Sequence, residues 1–121
     1  LDSNFLLIPF QFGVDIFEEL DRILDVKYKV FTLKKVIKEL EGLSKQKGVK
    51  AKQAHAALEE AKKLPLIDGN EDVDEAMLKL ASKDTIICTN DKVLKEKIRK
   101  KGAPVIYLRQ KKYLTLEGYI I

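Results

Sequence analysis

The sequence predicts a three-layer α/β/α domain built around a central parallel sheet. Three observations carry that expectation. Short apolar runs alternate along the chain with amphipathic stretches at helical spacing, the order of strand–helix–strand units. One run, Thr85-Ile86-Ile87-Cys88-Thr89, is continuously apolar at its centre, as a strand covered on both faces is. With 121 residues and 45% apolar side chains, the chain has material for one core and no room for two. A single domain over 1–121 is therefore expected. Right-handed crossovers would set the strand ends along one rim, where open α/β sheets bind their ligands.

Taken in order, Leu1-Asp2-Ser3-Asn4 reads as the end of a first strand, followed by apolar Phe5-Leu6-Leu7. Asp15 to Val26 carries Ile16, Phe17, Leu20, Ile23 and Leu24 at helical spacing. Tyr28 to Thr32 is a short β-type run, and Thr32 is placed to cap a helix from Leu33 to Lys45 with Val36, Ile37, Leu40 and Leu43 inward. Gly48 interrupts, then Ala-rich Lys50 to Leu64 is strongly helical and is stopped by Pro65. Leu64 to Ile67 forms a short strand closed by the turn Asp68-Gly69-Asn70. Residues 72–82 form a helix with Val73, Met77, Leu80 and Ala81 inward. After the strand at Thr85–Thr89, a basic helix runs from Lys92 to Lys101 and ends at Gly102. Pro104 to Leu108 is another strand, and Tyr113 to Ile121 is expected to add an edge segment.

Composition narrows the function. No stretch approaches the roughly 18 apolar residues of a membrane span, and no secretory leader is visible. Cys88 is the sole cysteine, so no intrachain disulfide forms and a reducing cytoplasm is the expected compartment. Abundant Lys and Glu give a mildly thermophile-like profile. The net charge of +4 is modest, yet nine basic residues against one acid lie between Lys92 and Lys112. Such a patch attracts phosphate, and it equally describes a solvated helix face plus a basic loop. No Walker or dinucleotide motif occurs.

Four acids fall where this reading places a functional edge: Asp2, Glu39, Asp74 and Asp91. Carboxylates from separate elements can hold Mg²⁺, which prefers about six oxygens and keeps several waters. Such ions orient a phosphate and activate water without a covalent nucleophile. Each acid also has an ordinary use. Asp74 and Asp91 sit where helix N-termini favour a carboxylate, Asp2 suits an Asx-turn, and Glu39 flanks its apolar stripe no better than Glu41 does. His55 lacks a second ligand at metal spacing, and Cys88 reads as a small buried hydrophobe. Tyr107, Tyr113 and Tyr119 could stack on bases, though ordinary packing explains them as well.

In order, these residues resemble the PIN-domain family. Asp2-Ser3-Asn4 matches its Asp-(Thr/Ser)-Asn motif, Glu39-Leu40 its helical Glu, Asp74-Glu75-Ala76-Met77 with Ala81 its third acid, and Thr89-Asn90-Asp91-Lys92-Val93-Leu94 its fourth. The likeness spans nearly the whole chain. It implies a PIN-like fold and an RNA endonuclease using Mg²⁺ or Mn²⁺, with Asp2, Glu39, Asp74 and Asp91 as metal ligands and catalytic groups. Asn4, Thr89 and Asn90 would support them by hydrogen bonding. Cleavage in the family leaves 5′-phosphate and 3′-hydroxyl ends. Lys92, Lys95, Arg99, Arg109, Lys111 and Lys112 would neutralise RNA phosphates. Clustered acids should leave at least one carboxyl with a raised pKa.

The segment Ile86–Leu108 looks like the branch that processes ribosomal RNA. VapC-like toxin ribonucleases of toxin–antitoxin pairs share the same acids, and a weakly cutting RNA-binding or assembly module is a further reading. The implied partners are RNA, with an antitoxin or a ribosome-assembly protein, and the family often forms homodimers. One departure stands out. Family members carry an apolar central strand before the first Asp, so residues preceding Leu1 are expected, and without them the sheet would contain an apolar slot.

Overall fold

The computed structural model describes residues 1–118. Tyr119 and the last two positions of the expected edge segment lie outside the described residues. The fold is mixed α/β with parallel strands, and about its first turn it differs from the sequence reading. Asp2 keeps extended backbone angles and caps α1 (Ser3–Phe12), which was not foreseen. Phe5, Leu6, Leu7 and Ile8 of that helix are all buried. Four consecutive buried residues take up every side of one helical turn, so this stretch shows no amphipathic period. Pro9 sits within it, and Gly13, at φ 69°, ends it by donating its N–H to the Pro9 carbonyl at 3.1 Å.

The amphipathic stretches form helices within a few residues of expectation. These are α2 (Ile16–Ile23), α3 (Lys34–Ser44), α4 (Val49–Ala61), α5 (Val73–Leu80) and α6 (Lys92–Lys100). Helix α4 turns Ala51, Ala54, Ala57 and Ala61 inward, and these small side chains let it approach α1 and α3. Thr32 is not the cap of α3. Leu33 holds that position without a side-chain hydrogen bond, because Thr32 lies in a strand and donates its hydroxyl to the Leu1 carbonyl at 2.7 Å.

The strands pair in two groups. β1 (Thr32–Leu33) runs parallel to β2 (Leu66–Ile67), with Thr32 opposite Leu66. β3 (Ile87–Cys88) runs parallel to β4 (Val105–Arg109), and β4 pairs antiparallel with β5 (Tyr113–Glu117). The edge segment therefore forms, and it makes the sheet mixed instead of wholly parallel. Tyr28 to Phe31 alternate as a strand would, yet pairing begins only at Thr32. Between the two groups lies a cavity of about 580 Å³ lined by Leu33, Ile67, Met77, Ile87, Cys88 and Ile106.

Side chains close the outer edge of β5. The Leu114 N–H donates to Glu19 Oε1 and the Leu114 carbonyl accepts from Arg22, each at 3.0 Å. Glu19 and Arg22 are themselves paired at 2.8 Å, so this part of the edge offers no free ladder to another chain. The Arg22 guanidinium beside Glu19 holds that carboxyl below its usual range. Burial of Cys88 pushes its thiol up to about 11, which suits an inert core residue. His55 is exposed on α4. Among the described residues no helix is long and apolar enough to cross a membrane.

Gly118, with φ 108°, follows β5 where a Cβ would stand 2.9 Å from the Pro104 Cα and collide with Arg99 Nη1. Gly118→Ala is expected to cost roughly 1–3 kcal/mol in urea unfolding, through overpacking and an unfavourable φ. Gly69→Ala, which meets open space, serves as the control and should stay within about 0.5 kcal/mol of the parent.

Candidate active site

The site grows from the first residues of α1 and the loop after β3. Asp2 is 8% exposed. Its Oδ1 accepts the Phe5 N–H at 2.7 Å, and its Oδ2 accepts the Thr89 hydroxyl at 2.7 Å. Thr89 is fully buried, and its own N–H donates to the Ile106 carbonyl at 3.0 Å. A residue locked to β4 thus fixes the Asp2 carboxyl. The same hydroxyl oxygen accepts the Asp91 N–H at 3.2 Å, linking Asp2 to Asp91 through one side chain.

Asp91 is exposed and caps α6, with Oδ1 accepting the N–H groups of Val93 at 2.9 Å and Leu94 at 3.1 Å. The ordinary use foreseen for it is therefore real, and it coexists with a place beside Thr89. Glu39 is exposed on α3, and its Oε2 accepts the Ser3 hydroxyl at 3.0 Å. Periodicity could not choose between Glu39 and Glu41; Glu39 is the one whose side chain contacts Ser3. Asp74 lies exposed in the first turn of α5, near enough that its charge acts on Asp2.

Burial raises the Asp2 carboxyl above its ordinary value of 3.8, against the opposing hydrogen bonds from Thr89 and Phe5. Repulsion from Asp74 adds to the rise as a minor contribution. A raised carboxyl was expected from mutual repulsion of the acids; desolvation is the larger cause. Asp2 is thus linked to Asp91 through Thr89 and feels the charge of Asp74, while Glu39 is tied to Ser3, the neighbour of Asp2. Among the described residues no three His, Cys, Asp or Glu side chains are grouped closely enough to hold a metal by themselves.

That arrangement still fits a hard divalent cation. Mg²⁺ usually binds one or two carboxylates and completes its shell with water. A buried carboxylate with a second acid in electrostatic reach is relieved by such an ion, and the donors are all oxygen.

The supporting residues divide. Asn4 is exposed on α1. Asn90 Oδ1 accepts the Leu108 N–H at 2.8 Å, bracing the loop on β4 instead of touching an acid. Ser3, 8% exposed, touches Glu39; the sequence reading did not single it out, although it lies inside the Asp2-Ser3-Asn4 motif. Of the basic residues, Lys92, Arg109, Lys111 and Lys112 are exposed. Lys95 stands 3.9 Å over the half-buried Tyr107 ring. Arg99 donates to the Ala103 carbonyl at 2.9 Å and lies 3.9 Å from Glu117, so its guanidinium is largely engaged in the fold. Tyr113 is half-buried in β5.

A profile described as a PIN-like domain matches residues 1–111. Ribonuclease VapC4 of Methanocaldococcus jannaschii is 36% identical, over 98% of this chain and 95% of that protein. Among solved structures, the PIN domain endonuclease Utp24 aligns with a TM-score of 0.76 at 26% identity, over 98% of this chain and 90% of the other.

Because folding raises the Asp2 pKa, this group favours the folded chain most when protonated. Its contribution falls as pH climbs from 3.8 through the raised folded value. Asp2→Asn keeps the shape and removes the buried charge. In metal-free buffer at pH 7 it should raise the urea midpoint, with little difference from the parent at pH 3. A lower midpoint at pH 7 would show that the charge is not a burden on the fold.

Proposed function

We infer that this chain, which belongs to the PIN-like domain family, is a divalent-metal-dependent endoribonuclease. The observation that carries this reading is the buried Asp2 carboxyl, held by Thr89 at the end of β3, with Asp91 joined to it through Thr89 and Asp74 close enough for its charge to act on it. Such placement favours an ion between chain and substrate at the strand rim. Asp2, Glu39, Asp74 and Asp91 would hold Mg²⁺ or Mn²⁺, directly or through water. When bound, the ion supplies charge neutralisation at the phosphate and lowers the pKa of water.

The chain's own residues do the rest. Thr89 keeps Asp2 oriented, the α6 cap fixes Asp91, and Asn90 ties their loop to β4. Lys92, Lys111 and Lys112 offer exposed charge to the RNA backbone, with Arg109 beside them, which makes binding salt-sensitive. Lys95 on Tyr107 presents a cation backed by an aromatic face.

The likeness to Ribonuclease VapC4 over nearly both full lengths supports a toxin ribonuclease held by an antitoxin better than a role in ribosomal RNA processing. The ribosomal reading keeps the support of the Ile86–Leu108 resemblance.

Incubation with RNA and Mn²⁺ is expected to give cleavage that EDTA abolishes. Asp2→Asn and Asp91→Asn should each slow it by roughly 100-fold. Asn caps a helix about as well as Asp, so the Asp91 variant should keep its stability. Cleavage that persists in EDTA, or in both variants, would contradict the assignment. Expression in cells is expected to arrest growth, with Asp2→Asn relieving the arrest; unimpeded growth with active enzyme would return the ribosomal role to first place.

A further inference from the structure

We propose that Ser3 is a positioning residue for Glu39, an inference that rests on the endonuclease reading above. Glu39 is an exposed glutamate on a solvated helix face, where a long side chain samples many rotamers. Ser3 is its opposite: 8% exposed and the first residue of α1. Its hydroxyl donates to Glu39 Oε2 at 3.0 Å. A buried donor therefore restrains an exposed acceptor.

The restraint is only as good as the anchor, and the anchor is firm. Asp2 caps α1 through the Phe5 N–H and is itself held by Thr89. The four residues from Phe5 to Ile8 are buried behind it. Orientation thus passes from β4 to Thr89, from Thr89 to Asp2, and from the start of α1 through Ser3 to Glu39. Adjacent residues serve the two sides of the site: Asp2 contributes a carboxylate, and Ser3 aims one from another helix. Glu41 gains no such contact from its own neighbouring serine, since Ser44 donates to the Glu41 backbone carbonyl at 2.8 Å. Because the Ser3 proton is given to Glu39, Ser3 acts through that carboxylate and not on substrate.

Calorimetric titration of the full chain with Mn²⁺ tests this. Ser3→Ala is expected to weaken binding roughly 10-fold, the scale of losing a hydrogen bond behind a ligand. Ser3→Thr, which keeps the hydroxyl, should restore it. Ser3→Cys keeps the volume with a weak donor and should bind as poorly as Ser3→Ala, which covers the case where alanine perturbs folding. In a Glu39→Gln background Ser3→Ala should add no further loss. Parental affinity in Ser3→Ala, or an undiminished loss in the Glu39→Gln background, would overturn the role. No Mn²⁺ binding by the unmodified chain would overturn the endonuclease reading itself.

Discussion

The buried carboxyl of Asp2 is the constraint on which the rest of the structure turns. One oxygen caps α1 through Phe5 and the other takes the Thr89 hydroxyl, so a single side chain joins the start of the chain to the end of β3. Those bonds act against a desolvation penalty that still leaves the carboxyl raised. A fold that only needed a helix cap could place an exposed aspartate there, as it does with Asp15 at the start of α2. A buried acid beside further acids is the less stable choice. Buried charges of this kind are paired or coordinate metals, and the cation proposed above would fill that need.

Structure and chemistry share residues in this site. Asp91 closes the first turn of α6 while its backbone N–H rests on Thr89. Thr89 in turn is pinned to β4. The parallel pairing of β3 with β4 therefore fixes the loop that carries Asp91 and Asn90. The acids come from the starts of α1, α5 and α6 and from the middle of α3. Their mutual placement depends on how those helices pack, not on a local motif. Separating a structural from a functional role for any one of them needs a substitution that keeps the cap and removes the charge.

Much of the fold was legible because amphipathic helices announce their period. Val36 and Leu40 marked α3, the alanines marked α4, and the apolar centre of Thr85–Thr89 marked β3. Helix α1 escaped because Phe5 to Ile8 are buried together and Pro9 interrupts the pattern. Tyr28 to Phe31 alternate convincingly, but alternation says nothing about whether a partner strand lies alongside. Thr32 looked like a cap because its type and position fit; tertiary contact with Leu1 decided otherwise. In the site, the order of the acids was visible in the sequence, whereas the contact that distinguishes Glu39 from Glu41 comes from Ser3, 36 residues away. Likewise, Arg99 counts as positive charge in the sequence, yet Ala103 and Glu117 occupy its guanidinium.

These separated acids are proposed to share one cation. A crystal structure of the chain soaked in Mn²⁺, read by anomalous scattering, tests it most directly. A strong peak is expected within coordination distance of Asp2, with Asp91, Glu39 or Asp74 reaching the same ion directly or through a single water. A peak confined to other surfaces, or none near Asp2 at a saturating Mn²⁺ concentration, would contradict it.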